Sequence, residues 1–176
     1  MVDQAQVHIA VRDVTMAYGS FVIQRDLNFD INRGDIFVIM GGSGCGKSTL
    51  LKHMLGLIPP SKGDILYSGT SFTRANPKEQ ESMRQRWGIT YQSGGLFSAM
   101  TLAQNIALPL QLYTAYSAGD IEEIIAYKLA LVGLAGYQDF YPSEISGGMQ
   151  KRAALARAIA LDPEILFFDE PSAGLD

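Results

Sequence analysis

Gly41-Gly42-Ser43-Gly44-Cys45-Gly46-Lys47-Ser48-Thr49 satisfies the pattern G-x-x-x-x-G-K-[ST]. It lies between an apolar run, Ile36-Phe37-Val38-Ile39-Met40, and a helix-like segment that begins at Lys47. The expected order is therefore strand, glycine-rich loop, helix, the context of a phosphate-binding loop. Glycines let the backbone wrap closely enough to aim several N–H groups at phosphate oxygens, and the following helix adds its positive N-terminal dipole. Gly41, Gly42, Ser43, Gly44, Cys45, Gly46, Lys47, Ser48 and Thr49 are thus candidates for holding a nucleotide's phosphates. Lys47 would reach the β- and γ-phosphates, and the Ser48 hydroxyl would ligate Mg²⁺.

The 176 residues are 47% hydrophobic, enough for one globular domain with a substantial core. A formal net charge of -4 gives no overall basic field, so a nucleic-acid partner has no compositional support. Cys45 is the only cysteine, which excludes an intramolecular disulfide and suits a reducing, cytosolic setting. No apolar run reaches the length that spans a bilayer, so any membrane role is expected to come through a partner.

Val7, Ile9 and Val11 alternate with His8, Ala10 and Arg12, as a half-buried strand does, and Leu27, Phe29 and Ile31 repeat the pattern. His8 is expected on the surface. Tyr18 precedes Gly19 in a loop, where its ring could stack on a base or close over the core. After the phosphate loop, Leu50, Leu51, Met54, Leu55 and Ile58 recur at helical spacing, with His53 expected half exposed and Pro59-Pro60 as the stop. Short strands are expected at Ile65 to Tyr67 and Trp87 to Tyr91, with a solvated helix over Lys78 to Gln85 between them. From Leu96 to about Leu161 the pattern is helical. Ser117 with Asp120 resembles a capping box, Ile121, Ile124, Ile125, Leu129 and Val132 mark an apolar face, and Gly133 ends the helix. A helix opening at Ser146-Gly147-Gly148 is expected to bury Leu155, Ala158 and Ile159. Ile165-Leu166-Phe167-Phe168 reads as a parallel strand buried on both faces. It ends in Asp169-Glu170. A metal bridging β- and γ-phosphates wants a carboxylate beside the Ser48 hydroxyl, which Asp169 would supply, while Glu170 would polarise a water for attack on the γ-phosphate.

Together with Glu144-Ile145-Ser146-Gly147-Gly148-Met149-Gln150 and Pro171-Ser172-Ala173-Gly174-Leu175-Asp176, these residues closely resemble the ATP-binding cassette (ABC) transporter ATPases. Gly41 to Thr49 looks like the Walker A loop, Gln92 like the Q-loop glutamine, Ser146 to Gln150 like the signature motif, Ile165 to Glu170 like Walker B, and Ser172 to Asp176 like the D-loop. Met149 departs from the glutamine that many members carry there and leaves the Ser-Gly-Gly contacts intact. The resemblance implies an α/β P-loop NTPase cassette with a mainly parallel sheet core, an antiparallel N-terminal part and an inserted helical subdomain. Its divisions would be a nucleotide-binding core over 1–95, the helical subdomain over 96–161, and Walker B with the D-loop over 162–176. It implies ATP and Mg²⁺ as cofactors and Tyr18 as the ring stacked on adenine. Glu170 and Gln92 would be catalytic, with Ser48, Gln92 and Asp169 around the metal. It also implies a head-to-tail ATPase dimer in which Ser146, Gly147 and Gly148, at a helix N-terminus, hold the ATP of the other subunit.

A finer resemblance, to the ATP-binding subunits of MCE-type lipid transporters, rests on Gly94 to Thr101, Asn105, Leu108-Pro109-Leu110 and Ser146 to Ala158. Amino-acid importer ATPases share several of these residues, so both cargo classes stand. Either way the implied partner is an integral membrane permease, with an MCE-domain protein beside it in the lipid reading, and the implied location is the cytoplasmic face of the inner membrane. Leu96, Phe97 and Met100 would then supply apolar contacts to the permease. The family places further strands and a switch histidine after the D-loop, whereas His8 and His53 both precede Gln92. Residues 1–176 are therefore expected to be part of a longer ATPase, with little hydrolysis alone and with Phe167 and Phe168 less covered.

Overall fold

Two long strands, β1 (Val7–Tyr18) and β2 (Phe21–Asn32), form an antiparallel hairpin in which Tyr18 stands opposite Phe21 across the turn Gly19-Ser20. The computed structural model describes residues 6–92 and 94–170, so the D-loop stretch lies outside the described residues. β3 (Lys62–Tyr67) pairs antiparallel with β1, and β4 (Thr70–Ser71) with β3, giving a four-stranded sheet of order β2-β1-β3-β4. Its buried face carries Ile9, Val11, Val14, Met16 and Ile65, all 2% exposed or less. Helix α1 (Lys47–Met54) buries Leu50, Leu51 and Met54. Helix α2 (Pro77–Arg84) follows, buries only Met83, and ends this compact unit, which spans Met1–Arg84.

The second unit, Gln85–Asp176, holds a parallel pair, β5 (Trp87–Thr90) and β6 (Ile165–Phe168), and three helices. Helices α3 (Leu102–Tyr113), α4 (Ala118–Leu131) and α5 (Gly147–Ala158) close around Leu102, Ile106, Leu110, Leu129 and Leu134. Capping boxes start two of them. Thr101 with Gln104 opens α3, and Ser117 with Asp120 opens α4, where the Ser117 hydroxyl and amide hold the Asp120 carboxyl below its usual range. Gly133, at φ 68, ends α4 as its position suggests.

Several local expectations are corrected. Ile36 to Met40 forms no strand and pairs with none among the described residues. Ile36, Val38 and Met40 are strongly exposed, Ile39 is partly covered, and Phe37 stacks on Phe29 at 5.2 Å. An apolar run becomes a buried strand only where neighbours supply a ladder, and in the first unit the described ladder is that of β2, β1, β3 and β4. His8 and His53 are both buried. Helix α1 ends at Met54 and Gly56 takes φ 67, four residues before Pro60, so the left-handed glycine and not the prolines turns the chain. In α5 the buried positions are Ala153, Ala154 and Ala156, with Leu155, Ala158 and Ile159 only partly covered, because small side chains let the helix lie close to its neighbours. β6 is parallel but not buried on both faces. Phe167 is buried edge-on against Trp87 at 5.8 Å, whereas Leu166 and Phe168 are exposed, so coverage is lost on one face only.

Candidate functional site

In the first unit the phosphate-loop sequence folds as a tight approach to α1. Gly44 takes φ 78 and Gly46, the N-cap, φ 98, both in the left-handed region that side chains resist. A Cβ on Gly46 would stand 2.8 Å from Ile23 Cγ2 and 3.3 Å from Met16 Cε, so glycine is required there by space as well as by angle. Lys47 Nζ donates to the carbonyl oxygens of Gly41 and Gly42, each at 2.9 Å, which draws the ammonium back over the loop. These are charge-assisted bonds, and they hold the cation against the backbone of the loop. A Cβ on Gly42 would meet nothing within 4 Å, so that side of the loop is open to a ligand. Ser43 is exposed, while Cys45, Ser48 and Thr49 are half-buried. Gln24 Nε2 reaches Cys45 O at 3.5 Å and ties β2 to the loop. Tyr18, at the end of β1, is 48% exposed and does not close over a core.

In the second unit the ladder of β5 and β6 runs one step further through Asp169 N–H donating to Thr90 O at 3.0 Å. That step brings the residues after both strands together. Gln92 Nε2 donates to Glu170 Oε2 at 2.8 Å, and Glu170 has the unusual φ of 50. A non-glycine residue held in this region marks a position fixed by its surroundings. Ser146 caps α5 by accepting from Met149 N at 3.3 Å, and Gly147 and Gly148 would tolerate a Cβ without contact, so the helix start is sterically open. Gln92, Glu170, Ser146 and Gly148 all line one cavity of about 400 Å³. Tyr18 and Gly41 to Thr49 belong to the first unit, and Gln92, Asp169, Glu170 and Ser146 to Gly148 to the second.

Asn105 holds the loop that follows Gln92, a role its sequence position does not announce. It is fully buried, and its Nδ2 donates to Phe97 O, Met100 O and Thr101 O at 3.0–3.1 Å while Oδ1 accepts from Phe97 N at 2.8 Å. Arg157 lies over the Phe97 ring at 5.6 Å and reaches Asn105 Oδ1 at 3.5 Å, and burial draws its guanidinium pKa down. The available signal was an amide on the apolar face shared by Leu102 and Ile106, where only a fully bonded polar group is tolerated.

Solved structures of this fold include a dimeric post-hydrolysis state of the ATP-binding cassette MJ0796 bound to ADP and Pi, with TM-score 0.86 at 29% identity over 96% of this chain and 76% of that one. CbiO1 from Clostridium perfringens, part of the ABC transporter complex cbiONQ, gives TM-score 0.87 at 28% identity over 97% and 68%. The fold is that of a P-loop NTPase cassette, with the antiparallel N-terminal part and helical section expected from sequence. The ABC transporter family matches over residues 24–173, and the chain belongs to it. The probable ribonucleotide transport ATP-binding protein mkl of Mycobacterium leprae is 45% identical over 97% of this chain and 49% of its own. The intermembrane phospholipid transport system ATP-binding protein MlaF of Haemophilus influenzae is 44% identical over 96% and 64%. The chain thus spans about half to two thirds of the length of these relatives.

Proposed function

We propose that the chain is the ATP-binding and ATP-hydrolysing part of a subunit that powers an ABC transporter for phospholipid. The observation that carries the chemistry is the 2.8 Å bond from Gln92 Nε2 to Glu170 Oε2. It fixes a carboxylate and leaves a second oxygen to take a proton from an attacking water. Gly41 to Thr49 suit a nucleotide's phosphates: the loop is open at Gly42, its turn needs glycines, and Lys47 brings a cation against the loop backbone. ATP bound there supplies the γ-phosphoryl group, and Mg²⁺ neutralises charge that develops on it. Ser48, Asp169 and the carbonyl of Gln92 are oxygen donors of the kind Mg²⁺ takes. Tyr18 would stack on the base, and Ser146, Gly147 and Gly148 would offer their helix start to the ATP of a second copy.

The phospholipid cargo is supported by the likeness to MlaF, and it implies a permease, an MCE-domain partner and a place at the cytoplasmic face of the inner membrane. No helix among the described residues is long and apolar enough to cross a membrane, which suits a subunit carried by a permease. A ribonucleotide cargo is the second reading, favoured by the equally similar mkl protein. The test is to capture the tagged chain with its membrane partners, reconstitute the complex in vesicles, and follow ATP-driven movement of labelled phospholipid and of labelled ribonucleotide. Phospholipid movement that stops in Glu170→Gln supports the proposal. Movement of ribonucleotide alone, or capture of no integral membrane protein, refutes it.

A further inference from the structure

The turn end of the β1–β2 hairpin carries two aromatics. Tyr18 and Phe21 are directly paired across the turn and are 48% and 71% exposed. An exposed Phe at a hairpin tip gains nothing for folding, and among the described residues neither ring stacks on another aromatic. Their placement relative to the phosphate loop gives them a use. Side chains two residues apart on a regular strand share a face, so Met16 lies on the face of Tyr18, and Phe21, the direct partner of Tyr18, shares it, while Ile23 is the extra residue at a register shift between the Met16–Gln24 and Ala17–Val22 pairs. Met16 Cε and Ile23 Cγ2 are the two atoms that border Gly46 in the loop. One face of the hairpin end therefore packs on the phosphate loop through Met16 and Ile23. It continues outward, about 7 Å further along each strand, as the two exposed rings.

We propose that Phe21 is a second aromatic of the base-binding platform, working beside Tyr18 to hold the purine of a nucleotide whose phosphates lie on Gly41 to Thr49. This rests on the nucleotide-binding reading and goes beyond it, because it assigns base affinity to β2 as well as β1. Two rings on one face give the base more apolar contact than one, and stacking on aromatic side chains is tolerant of which purine is bound. The pair thus raises affinity for the nucleoside part without touching the phosphates.

The test compares ATP with inorganic tripolyphosphate, which keeps the phosphates and lacks the base, by calorimetric titration of the parent chain, Phe21→Ala and Phe21→Tyr. Phe21→Ala is expected to weaken ATP roughly tenfold and to leave tripolyphosphate within about twofold, and Phe21→Tyr is expected to restore ATP binding. Unchanged ATP affinity in Phe21→Ala, with tripolyphosphate bound by the parent, overturns the role of Phe21 alone. Equal weakening of both ligands would make Phe21 a support of the loop and also overturns it. Failure of the parent to bind either ligand removes the nucleotide reading itself, and this inference with it.

Discussion

Replacing Asn105 by alanine removes the side chain that closes the segment from Phe97 to Thr101. Contacts of 2.8–3.1 Å are lost: the two Nδ2–H groups, shared among the carbonyls of Phe97, Met100 and Thr101, and the bond accepted from Phe97 N, three hydrogen bonds in effect. Each is worth about 1 kcal/mol net, and the groups left inside are not repaid by solvent unless the loop opens. Phe97 is 51% exposed, so partial opening lets water recover part of the loss. The expected destabilisation is about 3 kcal/mol, or a fall in Tm of roughly 6–12 °C for a chain of this size. Thermal unfolding followed by circular dichroism gives the magnitude, and amide hydrogen exchange gives the place. Protection should fall most at Phe97. A loss below about 1 kcal/mol, or exchange that rises evenly across α3 and leaves Phe97 protected, would refute the assignment of Asn105 as the hub of this loop.

His53 is buried with Nδ1 on Ile58 O at 2.8 Å and no partner for Nε2, and burial lowers its pKa from 6.5. Its contribution to stability is therefore complete above pH 6.5 and is lost as pH falls from there through the lower folded value, because the unfolded chain binds the proton first. Urea midpoints between pH 7 and pH 5 should drop in the parent, and that part of the drop should vanish in His53→Asn. At Gly46, alanine must enter a φ of 98 with its Cβ 2.8 Å from Ile23, so Gly46→Ala should cost about 1–3 kcal/mol in urea unfolding. Gly42→Ala, which meets nothing within 4 Å, should stay within about 0.5 kcal/mol of the parent.

Local chemistry was legible wherever it depends on adjacent residues. Gly46 and Gly133 occupy the left-handed positions their motifs imply, Ser117 with Asp120 makes its capping box, and Ser146 caps α5. Burial was less legible, since it depends on what the rest of the chain brings. His8 alternates like a surface residue and is covered, and Ile36 to Met40 reads as a core strand and lacks a ladder. The phosphate-loop and acidic motifs were visible as patterns because their residue types are those that the proposed nucleotide and metal would require. The bond between Gln92 and Glu170 spans 78 positions and arises only when β5 and β6 pair in parallel, so no local reading could state it. Asn105 escaped for a similar reason: its partners are backbone groups, which every sequence has.

The central claim is that Lys47 holds the phosphates of ATP while Glu170 acts only on the water. Equilibrium titration of Mg-ATP into the parent chain, Lys47→Ala and Glu170→Gln, under identical conditions, tests it most directly. The account predicts that Lys47→Ala loses most of the affinity, because a charge-assisted contact is removed, and that Glu170→Gln binds as the parent does. Equal loss in both variants, or full binding by Lys47→Ala, would contradict it.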